Sequence, residues 1–117
     1  MRLNEIEFND SQPIDAYGAG YFKVGGQRYD GAVIISPQGV CAWGGLADAA
    51  SLLALDGLVD VIFLGMGAEI AHVPADLRDQ LDAAGIGVEP MSSPSACRTY
   101  NVLLSEGRRV AAALIPC

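Results

Sequence analysis

The first third of the chain contains short apolar runs separated by glycines, a pattern typical of β structure. Strands are predicted over residues 21–24 and 27–35. The loop between them is Gly25-Gly26, and glycine suits the positive φ angles that a two-residue hairpin loop requires. Because the second strand ends in an unbroken apolar run, we expect it to lead from an outer hairpin into a buried central sheet. A further short strand is predicted over 40–43.

Helical and strand patterns alternate from residue 46 onward. Helices are predicted over 46–55, 74–84 and 93–106, and strands over 59–64, 86–89 and 109–115. Leu77 and Leu81 give the second helix the spacing of an apolar face, and Gly85 follows its end. Parallel strands need long crossover connections, so this alternation indicates helices that cover a largely parallel sheet. We predict a single α/β domain over 1–117, in which strands 59–64 and 86–89 are parallel neighbours.

The apolar strand at 59–64 runs into Gly65-Met66-Gly67, which resembles the glycine turn of a dinucleotide site. The third glycine of that fingerprint would stand at position 70, where this chain has Ile70. The next helix begins only at Pro74, so its free N–H groups lie away from the turn. We therefore predict that these glycines turn the backbone and allow close helix packing, and that NAD, FAD and ATP do not bind.

Composition and charge narrow the possible functions. The chain has 117 residues, 51% of them apolar, and a net charge of −7 from 14 acidic and 7 basic residues. This excess of acid disfavours binding to nucleic acid or to an anionic membrane surface. No apolar run approaches the roughly 18 residues that span a bilayer, and Arg2, Glu5 and Glu7 are unlike a signal-peptide core. We therefore expect a cytoplasmic protein. Three separated cysteines and one histidine indicate no metal site.

A candidate crevice is predicted where strands 59–64 and 86–89 end, because ligands of open α/β sheets bind along that edge. The candidate ligand or partner residues there are Gly65, Gly67, Ser92, Ser93, Cys97 and Arg98. The N–H groups at the start of the third helix can accept an anion. The simpler interpretation is that the two serines cap this helix. Cys97 is either a nucleophile activated by the neighbouring cation or a small buried side chain, and we favour burial because no histidine is positioned as its base.

The run from Cys97 to Asn101 is unusual, because it places three poor helix formers (Thr99, Tyr100 and Asn101) inside a predicted helix. Tertiary contacts must supply the stability that helix propensity does not. We predict that Asn101 has a structural role and ties the helix to a neighbouring segment. For Arg98 we predict an outward orientation, as part of a partner or anion site.

Several separated motifs resemble those of a family of small single-domain proteins of unknown molecular function, typified by a structural-genomics protein from a methanogen. They are Leu64-Gly65-x-Gly67, Pro74 with Leu77-Arg78, Gly85-Ile86 with Val88-Glu89-x-Met91, Ala96-Cys97-Arg98-Thr99-Tyr100-Asn101 and Glu106-Gly107-Arg108. Eukaryotic relatives in that family include a mitochondrial assembly factor of respiratory complex I and an adipogenesis-associated protein. The resemblance implies a three-layer fold, in which a central mixed sheet has helices on one side and a helix with a β-hairpin on the other.

Two functions are consistent with these residues. The resemblance and the lack of an acid–base constellation predict a non-catalytic binding or assembly module with a protein partner, as in complex I assembly. The alternative is an enzyme, or a binder of a small molecule or anion, that uses the crevice at the ends of strands 59–64 and 86–89. One thiol and one arginine make a small catalytic set, so we favour the binding module without a cofactor.

Overall fold

A computed structural model describes residues 11–117, which form two sheets and three α-helices. The strands are β1 (Ile14–Gly18), β2 (Tyr21–Val24), β3 (Gln27–Asp30), β4 (Val33–Ser36), β5 (Gly39–Ala42), β6 (Val61–Met66), β7 (Gly87–Met91) and β8 (Val110–Ile115). The helices are α1 (Ala49–Leu53), α2 (Ala75–Ala83) and α3 (Ser93–Ser105). The N-terminal residues Arg2, Glu5 and Glu7, on which the prediction about a signal peptide depends, lie outside this range.

The main sheet has the strand order β5-β4-β8-β6-β7. The predicted parallel neighbours are confirmed, because β6 and β7 pair in parallel with Val61 opposite Gly87. β8 also runs parallel to β6. The parallel character that we predicted for most of the sheet is confirmed only for β6, β7 and β8, since β4 is antiparallel to both β5 and β8. The antiparallel pairing of β4 with β5 has a local reason, because the two strands are joined by a tight turn and a connection that short allows only an antiparallel pair.

The smaller sheet is antiparallel, with the order β1-β2-β3. Its predicted hairpin is confirmed, and Gly25 and Gly26 in the loop have φ angles of 58° and 84°. Strand β1 was not predicted. The predicted strand over 27–35 is two strands, because the backbone turns at Gly31 (φ 84°) and passes from one sheet to the other.

The predicted helix over 46–55 is shorter than expected. A 3₁₀ turn at Gly45–Ala47 precedes α1, and Asp48 separates the two. The Asp48 carboxylate accepts hydrogen bonds from the backbone N–H groups of Gly44 and Ser51, each at 3.1 Å, and from the Ser51 hydroxyl at 2.7 Å. Asp48 therefore acts as the N-cap of α1, and the apolar pattern on either side of it does not form one continuous helix.

Apolar side chains cover both faces of the main sheet. One buried cluster joins Ile62 and Leu64 of β6 to Leu77 and Leu81 of α2. The other joins Phe63 of β6 to residues of α3 and of the smaller sheet, including Ala96, Cys97, Tyr100, Phe22 and Val24. This arrangement explains why β4, β6 and β8 are apolar without alternation. Within the described residues, no helix is long and apolar enough to cross a membrane.

Candidate functional site

The predicted crevice lies where β6, β7 and β8 end side by side, at Met66, Met91 and Ile115. Helix α3 begins directly after β7 and enters this space. Its residue Ser93 is fully buried. Ser93, one of the candidate ligand residues, is therefore packed inside the protein at this edge of the sheet.

Ser93 connects two of these strand ends. Its Oγ accepts a hydrogen bond from the Gly67 N–H at 2.9 Å and donates one to the Ile115 carbonyl at 2.5 Å. Its own N–H donates to the Gly67 carbonyl at 2.7 Å. The buried Ser93 hydroxyl thereby pairs with the Gly67 N–H and the Ile115 carbonyl, as buried polar groups require. The serine residue is a structural link between α3, β6 and β8.

The two glycines have the structural roles that sequence analysis favoured. A Cβ on Gly65 would lie 2.6 Å from Ser93 Oγ, 2.9 Å from Ser93 Cα and 2.8 Å from Leu114 Cδ2, so only glycine lets α3 approach this closely. Gly67 has a φ of 98°, a conformation that L side chains rarely adopt. One detail is corrected: β6 continues to Met66, so Gly65 belongs to the strand and the turn begins at Gly67.

Ser92 caps α3, because its side chain accepts a hydrogen bond from the Ser95 N–H at 3.3 Å.

Cys97 is 3% exposed, and burial raises the pKa of its thiol to about 11, with a smaller contribution from nearby Cys117. A thiol with that pKa carries very little thiolate near neutral pH, which disfavours a nucleophilic role. His72 lies exposed in the loop between β6 and α2. The described residues contain no group of three or more His, Cys, Asp or Glu side chains that could hold a metal ion.

We expect NAD, FAD and ATP to leave the melting temperature of the protein unchanged, because Ser93 occupies the space beside Gly65 and Gly67. Thermal denaturation with each nucleotide is the measurement. A ligand at one hundred times its Kd would add about 2.7 kcal/mol to the free energy of unfolding. A reproducible shift of that size with any of the three would contradict our interpretation of the glycines.

Asn101 and Arg98 are i, i+3 neighbours on α3, and their side chains have different environments. The Asn101 side chain contacts the backbone of β1: its Nδ2 donates to the Ile14 carbonyl at 2.9 Å, and its Oδ1 accepts from the Ile14 N–H at 2.8 Å. The predicted structural role of Asn101 is therefore confirmed. The Arg98 side chain is exposed, and its Nη2 donates a 3.3 Å hydrogen bond to Ser95 Oγ.

A second feature emerges around Arg98, and we call it the α3–β1 face: Tyr17, Arg98 and Val102. Tyr17 and Val102 are 41% and 55% exposed. Arg98 links them, because it lines a cavity of about 180 Å³ together with Tyr17 and also a neighbouring depression that includes Val102. Sequence analysis identified Arg98 but missed its two neighbours. Tyr17 was missed because β1 was not predicted, and Val102 because an apolar residue in a helix is ordinarily assigned to the core.

Comparison with known proteins places the chain in a family. A family model described as a protein of unknown function (DUF498/DUF598) matches residues 14–115. The chain belongs to this family. An uncharacterized protein of Rhodobacter capsulatus is 49% identical over 99% of this chain and 94% of its own length.

Other relatives of the family carry functional or structural descriptions. The mouse NADH dehydrogenase [ubiquinone] 1 alpha subcomplex assembly factor 3 is 31% identical over 99% of this chain, which spans 66% of that protein. Among solved structures, an outer membrane protein of Bartonella henselae is 35% identical, with a TM-score of 0.83 over 93% of this chain and 98% of the other. A Bordetella pertussis protein described as a Mth938-like domain is 30% identical, with a TM-score of 0.75 over 99% and 92%.

Proposed function

We propose that this protein is a non-catalytic binding module of the cytoplasm that assists the assembly of a protein complex. The observation that carries the proposal is the alignment of 99% of this chain with an assembly factor of NADH dehydrogenase. The local chemistry agrees with it. Ser93 bonds two strand ends, Gly65 allows α3 to pack closely on β6, and the Cys97 thiol is buried. The predicted crevice therefore offers few reactive side chains for catalysis. We extend the assembly role to a complex related to respiratory complex I.

The α3–β1 face is the surface that we assign to the partner. Tyrosine and arginine are the side chains most enriched among residues that dominate protein–protein binding. Here Arg98 extends from a rigid helix, with an exposed valine one turn further along the same helix. Because the one hydrogen bond of the Arg98 side chain within the described residues is to a serine hydroxyl, its guanidinium is available to a carboxylate of the partner. The partner segment we infer therefore presents an acidic side chain next to apolar ones.

We expect Arg98→Ala and Val102→Asp to reduce the capture of protein partners without loss of stability. The affinity-tagged protein is isolated from its own cells, and captured proteins are quantified by mass spectrometry. Arg78→Ala and Ile70→Asp are matched controls, because Arg78 is an exposed arginine of α2 and Ile70 is 67% exposed in a different loop. Exposed substitutions of this kind change the free energy of unfolding by less than about 0.5 kcal/mol, which urea unfolding verifies.

The result that supports the proposal is a set of proteins captured by the natural chain and both controls but depleted in both α3–β1 variants. Capture of the same proteins at the same level by all five forms would refute the assignment of the surface. Loss of stability in Arg98→Ala, with capture intact, would instead make Arg98 part of the architecture.

The alternative function, binding of a small molecule or anion in the crevice, is less well supported. A ligand that binds the Gly67 N–H or the Ile115 carbonyl has to displace Ser93 from its hydrogen bonds with them. Stabilisation by a nucleotide in the thermal denaturation measurement would favour this alternative, because the assembly function expects none.

A further inference from the structure

A second cavity, which we call the arginine cavity, lies at the opposite end of the main sheet, where β6 and β8 begin. Its volume is about 290 Å³. Its apolar wall consists of Pro37, Leu58 and Leu104, and its basic wall consists of Arg108 and Arg109. Leu58 packs against the cluster on one face of the sheet and Leu104 against the cluster on the other, so the cavity opens between the two layers.

Arg108 and Arg109 follow the end of α3, where a cation often serves only to complement the helix dipole. Here the last carbonyls of the helix already have backbone partners. The Gly107 N–H donates to the Leu104 carbonyl and the Arg108 N–H to the Leu103 carbonyl, each at 3.0 Å. Gly107 has the φ of 79° that this C-terminal motif requires. The arginine side chains are therefore not needed as hydrogen-bond caps.

The two arginines differ in what they contact. Arg109 Nη2 forms an ion pair with Asp60 Oδ1 at 2.7 Å, and its Nη1 donates to the Gly57 carbonyl at 3.3 Å. The guanidinium of Arg108 makes no hydrogen bond or ion pair within the described residues. Its charge reaches Asp60 only at longer range, where it adds a small contribution to the lowered pKa of that carboxyl. Together these three side chains carry one net positive charge, in a chain whose net charge is −7.

We propose that the arginine cavity binds a small monocarboxylate with a short apolar chain. The free guanidinium of Arg108 offers the planar pair of N–H donors that matches a carboxylate. The apolar chain of the ligand contacts Leu58, Leu104 and Pro37. A single charge fits best because Asp60 already neutralises Arg109, and a second negative charge would lie close to the Asp60 carboxylate. The volume is at the low end of small-molecule sites, which restricts the ligand to a short chain.

The proposal is independent of the assembly function and is tested with hexanoate as the probe. Titrations of the ¹⁵N-labelled protein at pH 7 compare hexanoate with hexanol, which lacks the charge, and with acetate, which lacks the chain. We expect hexanoate to shift the amide signals of Leu58, Leu104 and Gly107. Both comparison compounds should bind at least about tenfold more weakly, because hexanol cannot pair with the Arg108 guanidinium and acetate cannot contact the apolar wall.

Two arginine variants complete the test. Arg108→Gln keeps the length and polarity of the side chain but removes its charge, and we expect it to weaken hexanoate binding at least about tenfold. Arg78→Gln, on the exposed face of α2, should bind like the natural chain. The proposal is overturned by the absence of a response to hexanoate, by equal responses to hexanoate and hexanol, or by unchanged binding in Arg108→Gln.

Discussion

Replacement of Gly65 by alanine is expected to lower the free energy of unfolding by about 2–3 kcal/mol, which is the upper part of the usual cost of adding a carbon to a packed core. The new Cβ would lie 2.6 Å from Ser93 Oγ and 2.9 Å from Ser93 Cα. The second contact involves the backbone, so no rotamer change of Ser93 relieves it. Helix α3 has to move away from β6, and the two hydrogen bonds of Ser93 Oγ weaken at the same time. Urea unfolding measures the loss.

Gly87→Ala is the matched control, because Gly87 lies in the neighbouring strand β7 and its nearest contact would be the Asp60 carbonyl at 3.2 Å. We expect a clearly smaller loss there. The double variant Gly65→Ala with Ser93→Ala lacks the hydroxyl that causes the shortest contact. Its loss of unfolding free energy should therefore be smaller than the sum of the losses in the two single variants. Equal losses at Gly65 and Gly87 would show that the close approach of α3 is unimportant, and strict additivity in the double variant would show that the Ser93 hydroxyl adds nothing to the steric conflict.

The elements of the second half could be predicted because the local signals agree with the tertiary structure. Apolar strands, helix-terminating glycines and a crossover helix of sufficient length all favour parallel pairing of β6 with β7, which the structure confirms. The first half contains weaker signals. Strand β1 has only one buried residue, Ile14, and the remainder of the strand is exposed or half-buried. A strand of that kind is defined by its neighbours, and its own side chains show no clear alternation.

The errors in the first half have a common cause. Asp48 interrupts an apolar run, and Gly31 lies between the polar and the apolar part of the predicted strand over 27–35; a hydropathy pattern averages across a single residue of that kind. The structure shows that the interruption is decisive in both places. Asp48 turns a predicted helix into a short turn and a short helix, and Gly31 moves the chain between sheets.

The candidate site illustrates what sequence spacing leaves undetermined. The spacing correctly brings Gly67 and Ser93 to one edge of the sheet. It does not reveal that Ser93 Oγ bonds the carbonyl of Ile115, since β8 reaches that edge only through its pairing with β6. A polar residue at a strand end can bind a ligand or can form hydrogen bonds within the protein. Which of the two it does depends on hydrogen-bond partners from distant parts of the chain.

Asn101 is the second position where we expect a large effect, and it follows from an anomaly in the sequence. An asparagine within a helix is a poor helix former, yet here both polar atoms of its side chain bond the backbone of Ile14, as a neighbouring strand would. Asn101→Ala leaves that N–H and carbonyl without partners at a half-buried position. We expect the free energy of unfolding to fall by about 1–3 kcal/mol, although alanine itself favours the helix.

Thr99→Ala provides the control within the same helix, because it introduces the same favourable residue without removing a contact to β1, and it should leave stability unchanged or slightly increased. Asn101→Asp separates the two hydrogen bonds: it keeps an acceptor for the Ile14 N–H and loses the donor to the Ile14 carbonyl. We expect an intermediate loss of stability for this variant.

Hydrogen exchange locates the effect of Asn101→Ala in the structure. In Asn101→Ala, the amides of β1 and of its partner β2 should exchange faster than those of β6, because the smaller sheet loses its connection to α3 while the main sheet keeps its pairing. Unchanged protection of β1 would mean that Asn101 stabilises the helix and not the strand, and its two bonds to Ile14 would then be a consequence of the packing of Tyr100 and Ile14 and not a cause of it.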